Sequence, residues 1–345
     1  MVTPSVQTQR TLVESMSFYV PASSFDVAMS CAKVAGAVTL KGPNGPVIAQ
    51  QMRADGWEGA VLLDRGGYES RSAKIDPAAW AEAQSQVGAD RLLSPGRWVP
   101  WTKDPSTIAT AVSSELAVVE RWDSPTLVLA IDHRWLTNGE GYRKLLETLG
   151  QMNCPVALVL ANPGDPLSPN DAVNSLVHLC TSIDQVSILR CDHGAIGAVA
   201  FGAVHGSIGL MSTYRHFVPQ ESSGGGIPGD RTVRLFVLDL MDWFTASTVA
   251  GWSTTKVSPT CDLACCNGQR LDRFLDERLK AEAELHNKLA LWKLVEYTLD
   301  SRAEEPRFAF PNLCAKAVQR YGQVGGFTNV IEPKAQLVQW ASLAR

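Results

Sequence analysis

The chain has no apolar run approaching ~20 residues, so a membrane span is not expected. Neither sign of charge is in large excess. The net charge of -4 argues against a protein that coats nucleic acid non-specifically, while leaving room for a local basic patch. The opening stretch, MVTPSVQTQR, lacks a signal-peptide apolar core, which gives a cytoplasmic expectation. No G-x-G-x-x-G follows the first recognisable strand, and this weakens a dinucleotide-binding assignment. What the chain does have is apolar material. Hydrophobic residues make up 45% and charged residues 19%, enough for a sizeable core. At 345 residues it exceeds the usual single-core limit, yet one α/β barrel absorbs about 250 residues and leaves room for an appendage.

The stretch Val61–Ser70, VLLDRGGYES, organises the rest. Its apolar start reads as a buried parallel strand that stops at Asp64. Gly66 and Gly67 then allow a sharp turn or close approach to a ligand. Barrel enzymes place their chemistry at such strand ends. An ordinary turn with an exposed Asp is the plain alternative. Apolar runs recur at Ala37–Leu40, before Asp64, and at Arg91–Leu93, Thr126–Ile131, Val156–Ala161, Val186–Leu189, Gly206–Leu210 and Thr232–Leu238. Helical or loop segments separate them, and Pro219–Gly229 reads as a flexible loop. Eight alternating units predict a parallel (β/α)8 TIM barrel, with an open doubly wound sheet as runner-up. Asp64, Ser94–Arg97, Asp132, Asn162, Asp192, Ser212 and Asp239 end those runs and would gather at one mouth. Carboxylates there suit acid/base work or attack at a sugar carbon, although each could instead be a helix N-cap.

Most of the eight cysteines are scattered, but Cys261, Cys265 and Cys266 form a tight group. Without an export signal, such a group suggests metal or redox chemistry before disulfides. His286 follows on an evident helix. The four suit a structural Zn2+, although adjacent Cys265 and Cys266 are awkward ligands for one ion. Free cysteines beside a surface His are the alternative.

These motifs resemble the tRNA-guanine transglycosylases and their DNA-modifying relatives, which exchange a guanine for a 7-deazaguanine. LLDRGGYES is similar to the family's Asp-Ser-Gly-Gly-Phe, with Arg65 for Ser and Tyr68 for Phe. The family's Cys-x-Cys-x-x-Cys, followed by a helix carrying His-Asn, is matched by Cys261, Cys266 and His286-Asn287. Leu263 stands at the second Cys position, and the resemblance makes Cys265 the candidate substitute. IDPAAWAEAQSQVGAD is similar to the family's helix before its third strand. The resemblance implies a barrel over residues 1–250, with a zinc-binding subdomain and C-terminal helices over residues 251–345 packed on it. It implies tRNA or DNA and a 7-deazaguanine base as partners, alongside a second copy or a heteromeric subunit. The family's nucleophile is an Asp shortly before a Thr-Arg pair, and GSIGLMSTYRH has no carboxylate there. Asp192, beside His193, is the expected replacement, with Asp132 second. Asp64 would hold the purine or move its proton, Gly66, Gly67 and Tyr68 would shape the base pocket, and Arg97, His193 and Arg215 would bind substrate. Arg65, Arg134 and Arg190 could also meet phosphates, or the arginines could pair with nearby carboxylates. Two other functions fit the missing nucleophile: a non-catalytic nucleic-acid-binding subunit and a barrel nucleoside hydrolase.

Overall fold

Alternate residues of the strands go to different cores, which is what a parallel sheet buried on both faces requires. The computed structural model describes residues 15–69, 76–219, 233–253, 259–300, 304–324 and 331–344. The expected loop therefore lies outside the described residues from 220 to 229, as do Ser70 and the polar start of the chain. The main sheet comprises β1 (Met16–Pro21), β2 (Ala37–Lys41), β3 (Ala60–Asp64), β4 (Leu92–Leu93), β5 (Arg97–Val99), β6 (Pro125–Asp132), β7 (Val156–Ala161), β8 (Val186–Cys191) and β9 (His205–Gly209). Their order is β3-β2-β1-β9-β8-β7-β6-β4, with β5 on the same side of β6 as β4, and every pairing is parallel.

The sheet curls. No ladder joins β3 to β4, but Asp90 N donates to Val61 O at 2.9 Å and Gly67 N to Pro95 O at 2.8 Å, bridging the two edges. Tyr19, Leu62, Leu93, Val128, Ala130, Val159 and Leu189 fill the concave side. Phe18, Val38, Leu63, Leu129, Leu158 and Ile188 face the helices. A buried polar layer lies within the same strands, where Ser17, Thr39, Ser207 and His205 interconnect at 2.8–3.2 Å.

Local sequence sets the helices. In α1 (Phe25–Ala35), Ser24 caps the start and Gly36, at φ +69°, ends it. Asp76 caps α3 (Pro77–Gln86), as its Asp-Pro start predicts. The remaining helices against the sheet are α2 (Gly45–Ala54), α4 (Ser106–Val119), the short α5 (Arg134–Thr137), α6 (Gly139–Gly150), α7 (Ala172–Ser182) and α8 (Gly194–Ala200). A Cβ on Gly197 of α8 would come within 2.6 Å of Phe310 and 2.7 Å of Trp340. The small residues of α8 thus admit two aromatic rings from the C-terminal helices.

Three strand assignments need correction. Arg97–Val99, expected beyond the end of the third run, forms β5 against β6. Met16–Pro21, not expected as a strand, takes the place between β2 and β9. The run ending at Leu238 forms β10 (Arg234–Val237), paired antiparallel with β11 (Asp242–Thr245) outside the main sheet. An apolar run reports burial but not the partner or its direction, and here burial comes from α10 (Lys280–Leu299). Asp239 is consequently exposed and away from the sheet's strand ends. After α9 (Ala246–Ser253), the short pair β12 (Thr260–Cys261) and β13 (Gln269–Arg270) carries the cysteine group. The helix α10 buries Ala283, Asn287, Leu291, Leu294 and Thr298, spaced three or four apart. It is followed by α11 (Pro306–Val324) and α12 (Ala335–Ala341). No helix among the described residues is long and apolar enough to cross a membrane.

Candidate functional site

Asp64 ends β3 with the parity of Leu62, so its carboxylate points to the concave side and is 0% exposed. Oδ2 accepts from the hydroxyls of Tyr19 at 2.5 Å and Tyr68 at 2.7 Å, and these two oxygens are 3.0 Å apart. Oδ1 accepts from Gly66 N at 2.8 Å. Gly66 adopts φ +71°, the left-handed turn that brings its N–H back onto the carboxylate. Burial, and then the Asp64 charge, push both tyrosine hydroxyls well above their ordinary pKa. They remain donors at any physiological pH.

Above this group lies a second set. Glu69 is ion-paired with both Lys41 and Arg190. Arg190, whose side chain is 7% exposed, also donates to Thr213 O at 2.8 Å. Its guanidinium sits 5.5 Å from the Phe217 ring, 5.7 Å from Tyr214 and 6.0 Å from Tyr68. The register shifts between Ile188 and Cys191, and Arg190 has φ +48°. That bulge turns Arg190 to the concave side directly after Leu189. Aromatic edges from Tyr68 and Trp98, each 5.2 Å from Phe217, complete the filling.

Asp132 ends β6 and accepts from Arg134 N and Nε at 2.9 and 2.8 Å, and from Nη2 at 2.7 Å. Burial opposes its ionisation, but Arg134 and then His133 overcome that and hold its pKa well below the ordinary value. Arg97 lies 3.4 Å from buried Glu115. Arg97, Arg134 and Arg190 are thus each paired with a carboxylate.

Asp192 follows β8. Its Oδ1 accepts from Gly194 N at 2.8 Å and from Gln336 Nε2, on α12, at 3.0 Å. Asp165, in the loop after β7, accepts from Leu167 N and Ser168 Oγ, each at 2.9 Å. The two acids are held oppositely. Burial and then the Asp192 charge raise Asp165 to about 6. Asp192 is lowered: burial works against this, but His193, Gln336 and Gly194 outweigh it. His193 is 3% exposed, and neither ring nitrogen has a partner among the described residues. Burial lowers its pKa. Arg215 stacks on Trp243, 3.5 Å from the ring centroid, and donates to Leu210 O at 3.0 Å. Asp242 pairs with Lys334 and accepts from Tyr321 at 3.2 Å.

Asp64, Asp132 and Asp192 therefore sit at ends of parallel strands, as expected, but share no hydrogen-bonding partner among the described residues. Gly67 donates to Pro95 O, and Tyr68 is committed to Asp64. Tyr19, Glu69, Asp165, Asp242 and Gln336 escaped sequence reasoning. Glu69 and Asp165 carried a signal, the first inside VLLDRGGYES and the second in the NPGDP turn that ends an apolar run.

The cysteine group converges. One ligand atom from each of Cys261, Cys265, Cys266 and His286 lies within 4.8 Å of the others, so the cluster could hold a metal ion. The two adjacent sulfurs are 3.6 Å apart, and Cys266 Sγ is 3.4 Å from His286 Nδ1. His286 Nε2 lies 3.0 Å from Phe236 O, which can only accept. Nε2 therefore donates to this carbonyl and Nδ1 is the nitrogen that faces the sulfurs, the orientation that a metal-binding histidine needs. Burial raises Cys261 to about 12 and Cys265 to about 11. Burial also opposes the Cys266 thiolate, but His286 and Arg273 bring that thiol down to about 6. Asn287 accepts from Phe236 N at 2.7 Å and donates to Arg234 O at 2.8 Å, so neighbouring helical residues grip one strand. No protein-family model and no curated protein matches the chain.

Proposed function

We propose that the protein is a base-exchange glycosyltransferase that replaces guanine in tRNA or DNA with a 7-deazaguanine, on a closed (β/α)8 barrel with a zinc-binding subdomain. The observation that carries this reading is the carboxyl pair Asp165 and Asp192, which follow the paired strands β7 and β8, are each held by their own hydrogen bonds, and have surroundings that favour opposite shifts in acidity. Such a pair supplies an ionised nucleophile and a proton donor near neutral pH. Asp192 attacks C1′ of the target nucleoside, the bond from C1′ to the guanine nitrogen breaks, and Asp165 gives the departing base its proton. In the second half, the incoming base loses that proton to Asp165 and displaces Asp192. Asp64 holds the base edge, whose N–H groups replace the Tyr19 and Tyr68 hydroxyls on its carboxylate. The target base reaches the site from a single strand or by flipping out of a duplex. Cys261, Cys265, Cys266 and His286 would hold Zn2+, which supplies structural cross-linking of the C-terminal segment.

One observation favours a second reading, a non-catalytic nucleic-acid-binding subunit. Asp64 is fully covered, and Arg190, Glu69 and Tyr68 fill the space above it. Incubation with labelled guanine and either tRNA or plasmid DNA separates the two. Label entering one polynucleotide supports exchange and identifies the substrate. Label entering neither removes the exchange proposal.

A further inference from the structure

A cleft lies away from the strand ends, between the β10–β11 hairpin, the cysteine loop and helices α10 and α11. Its volume is about 490 Å3, within the ~300–1,000 Å3 typical of small-molecule sites. Three kinds of wall meet there. Leu238, Met241, Leu263, Leu294 and Leu313 provide an apolar surface. Lys293, Lys316 and Arg320 provide cations, the last two one helical turn apart on α11. Asp239 and Asp262 provide exposed carboxylates. Lys293 is shared with Glu296 at 2.9 Å, and Arg320 donates to Gln323 at 2.5 Å. The Lys316 ammonium has no hydrogen bond or ion pair among the described residues. Half-exposed Tyr297 stands at the edge, 4.9 Å from the Lys293 ammonium. Cys261 and His286 contribute to the wall from behind.

We propose that this cleft binds a nucleoside monophosphate unit. The flat base lies against the leucine wall and Tyr297, the ribose hydroxyls donate to Asp239 or Asp262, and the phosphate meets Lys316, Arg320 and Lys293. Each part of the ligand has its chemical counterpart, and the concave shape suits one nucleotide rather than a duplex face. The assignment does not rest on the reaction proposed at the strand ends. The unit could come from a free nucleotide or from a single strand.

Titration calorimetry of the full chain with adenosine monophosphate, a single-stranded oligodeoxythymidine decamer and inorganic phosphate tests the assignment. Adenosine avoids confusion with a guanine pocket elsewhere. The expected result is binding of the mononucleotide, the decamer or both, weakened at least tenfold in K316E/R320E and less in K316Q/R320Q, with melting temperatures unchanged. Binding of the mononucleotide identifies the free source, and binding of the decamer alone identifies a strand. Binding of neither, binding indifferent to these charges, or phosphate binding as tightly as the nucleotide would overturn the assignment.

Discussion

Asp64→Asn isolates the role of the strand-end carboxylate, because its structural cost can be worked out bond by bond. The carboxylate accepts three hydrogen bonds: two hydroxyls on Oδ2 and the Gly66 N–H on Oδ1. An amide offers one accepting oxygen. If that oxygen faces the tyrosines, its NH2 confronts the Gly66 N–H, donor against donor. If the oxygen faces Gly66, the two hydroxyls must turn to accept. The second arrangement is cheaper, since a hydroxyl can do either. The loss is then about 1–3 kcal/mol, the cost of disturbing a buried hydrogen bond to a charged group. With an unfolding entropy of about 2 cal/mol/K per residue over 345 residues, the melting temperature falls about 1–4 °C. Guanine exchange, by contrast, should fall at least ~100-fold if Asp64 handles the base or its proton. Scanning calorimetry and labelled-guanine incorporation measure the two effects side by side. Exchange within tenfold of wild type would refute the role assigned to Asp64. A fall in melting temperature well beyond 10 °C would instead mark Asp64 as mainly structural.

Four further outcomes are expected. Asp165→Asn should be more stable relative to wild type at pH 7 than at pH 4. Folding raises the Asp165 pKa from 3.8 to about 6, so the wild-type acid contributes stability below pH 4 and loses it as pH rises through 6. Urea titrations at the two pH values measure this, and an unchanged difference would contradict it. Cys261→Ser should release metal and destabilise the C-terminal third, whereas elemental analysis finding no zinc in wild type would remove the zinc assignment. Asn287→Ala strands Phe236 N and Arg234 O and should cost about 2–4 kcal/mol in denaturant unfolding. Tyr68→Phe removes one of three donors to Asp64 without creating a cavity and should cost about 1.5–3 kcal/mol. No measurable change would show that Tyr19 and Gly66 suffice.

The parallel sheet was legible because VLLD, TLVLAI, VALVLA and VSIL are apolar on both faces, which only a doubly covered strand can be. The cysteine cluster was legible from residue type and distance along the chain. What stayed hidden was pairing. MSFYVP is short and follows a polar start, so its place in the sheet shows only when β2 and β9 are found on either side. The run ending at Leu238 has a strand's composition, but nothing local says that α10 and β11, rather than the main sheet, bury it. The bulge at Arg190 and the two tyrosine hydrogen bonds to Asp64 are likewise products of register. Register depends on contacts between residues far apart in sequence, such as Tyr19 with Asp64 and Glu69 with Arg190.

His286 and Asn287 differ in task but not in target. The first turns one nitrogen to the sulfurs and the other to Phe236, and the second takes both free backbone groups on the same strand. A metal ion held by the sulfur cluster would thereby be wired to a segment 50 residues earlier in the chain. Removing such an ion with a chelator would loosen the hairpin in the same event, and amide exchange at Leu235 and Phe236 would serve as a distant gauge of occupancy.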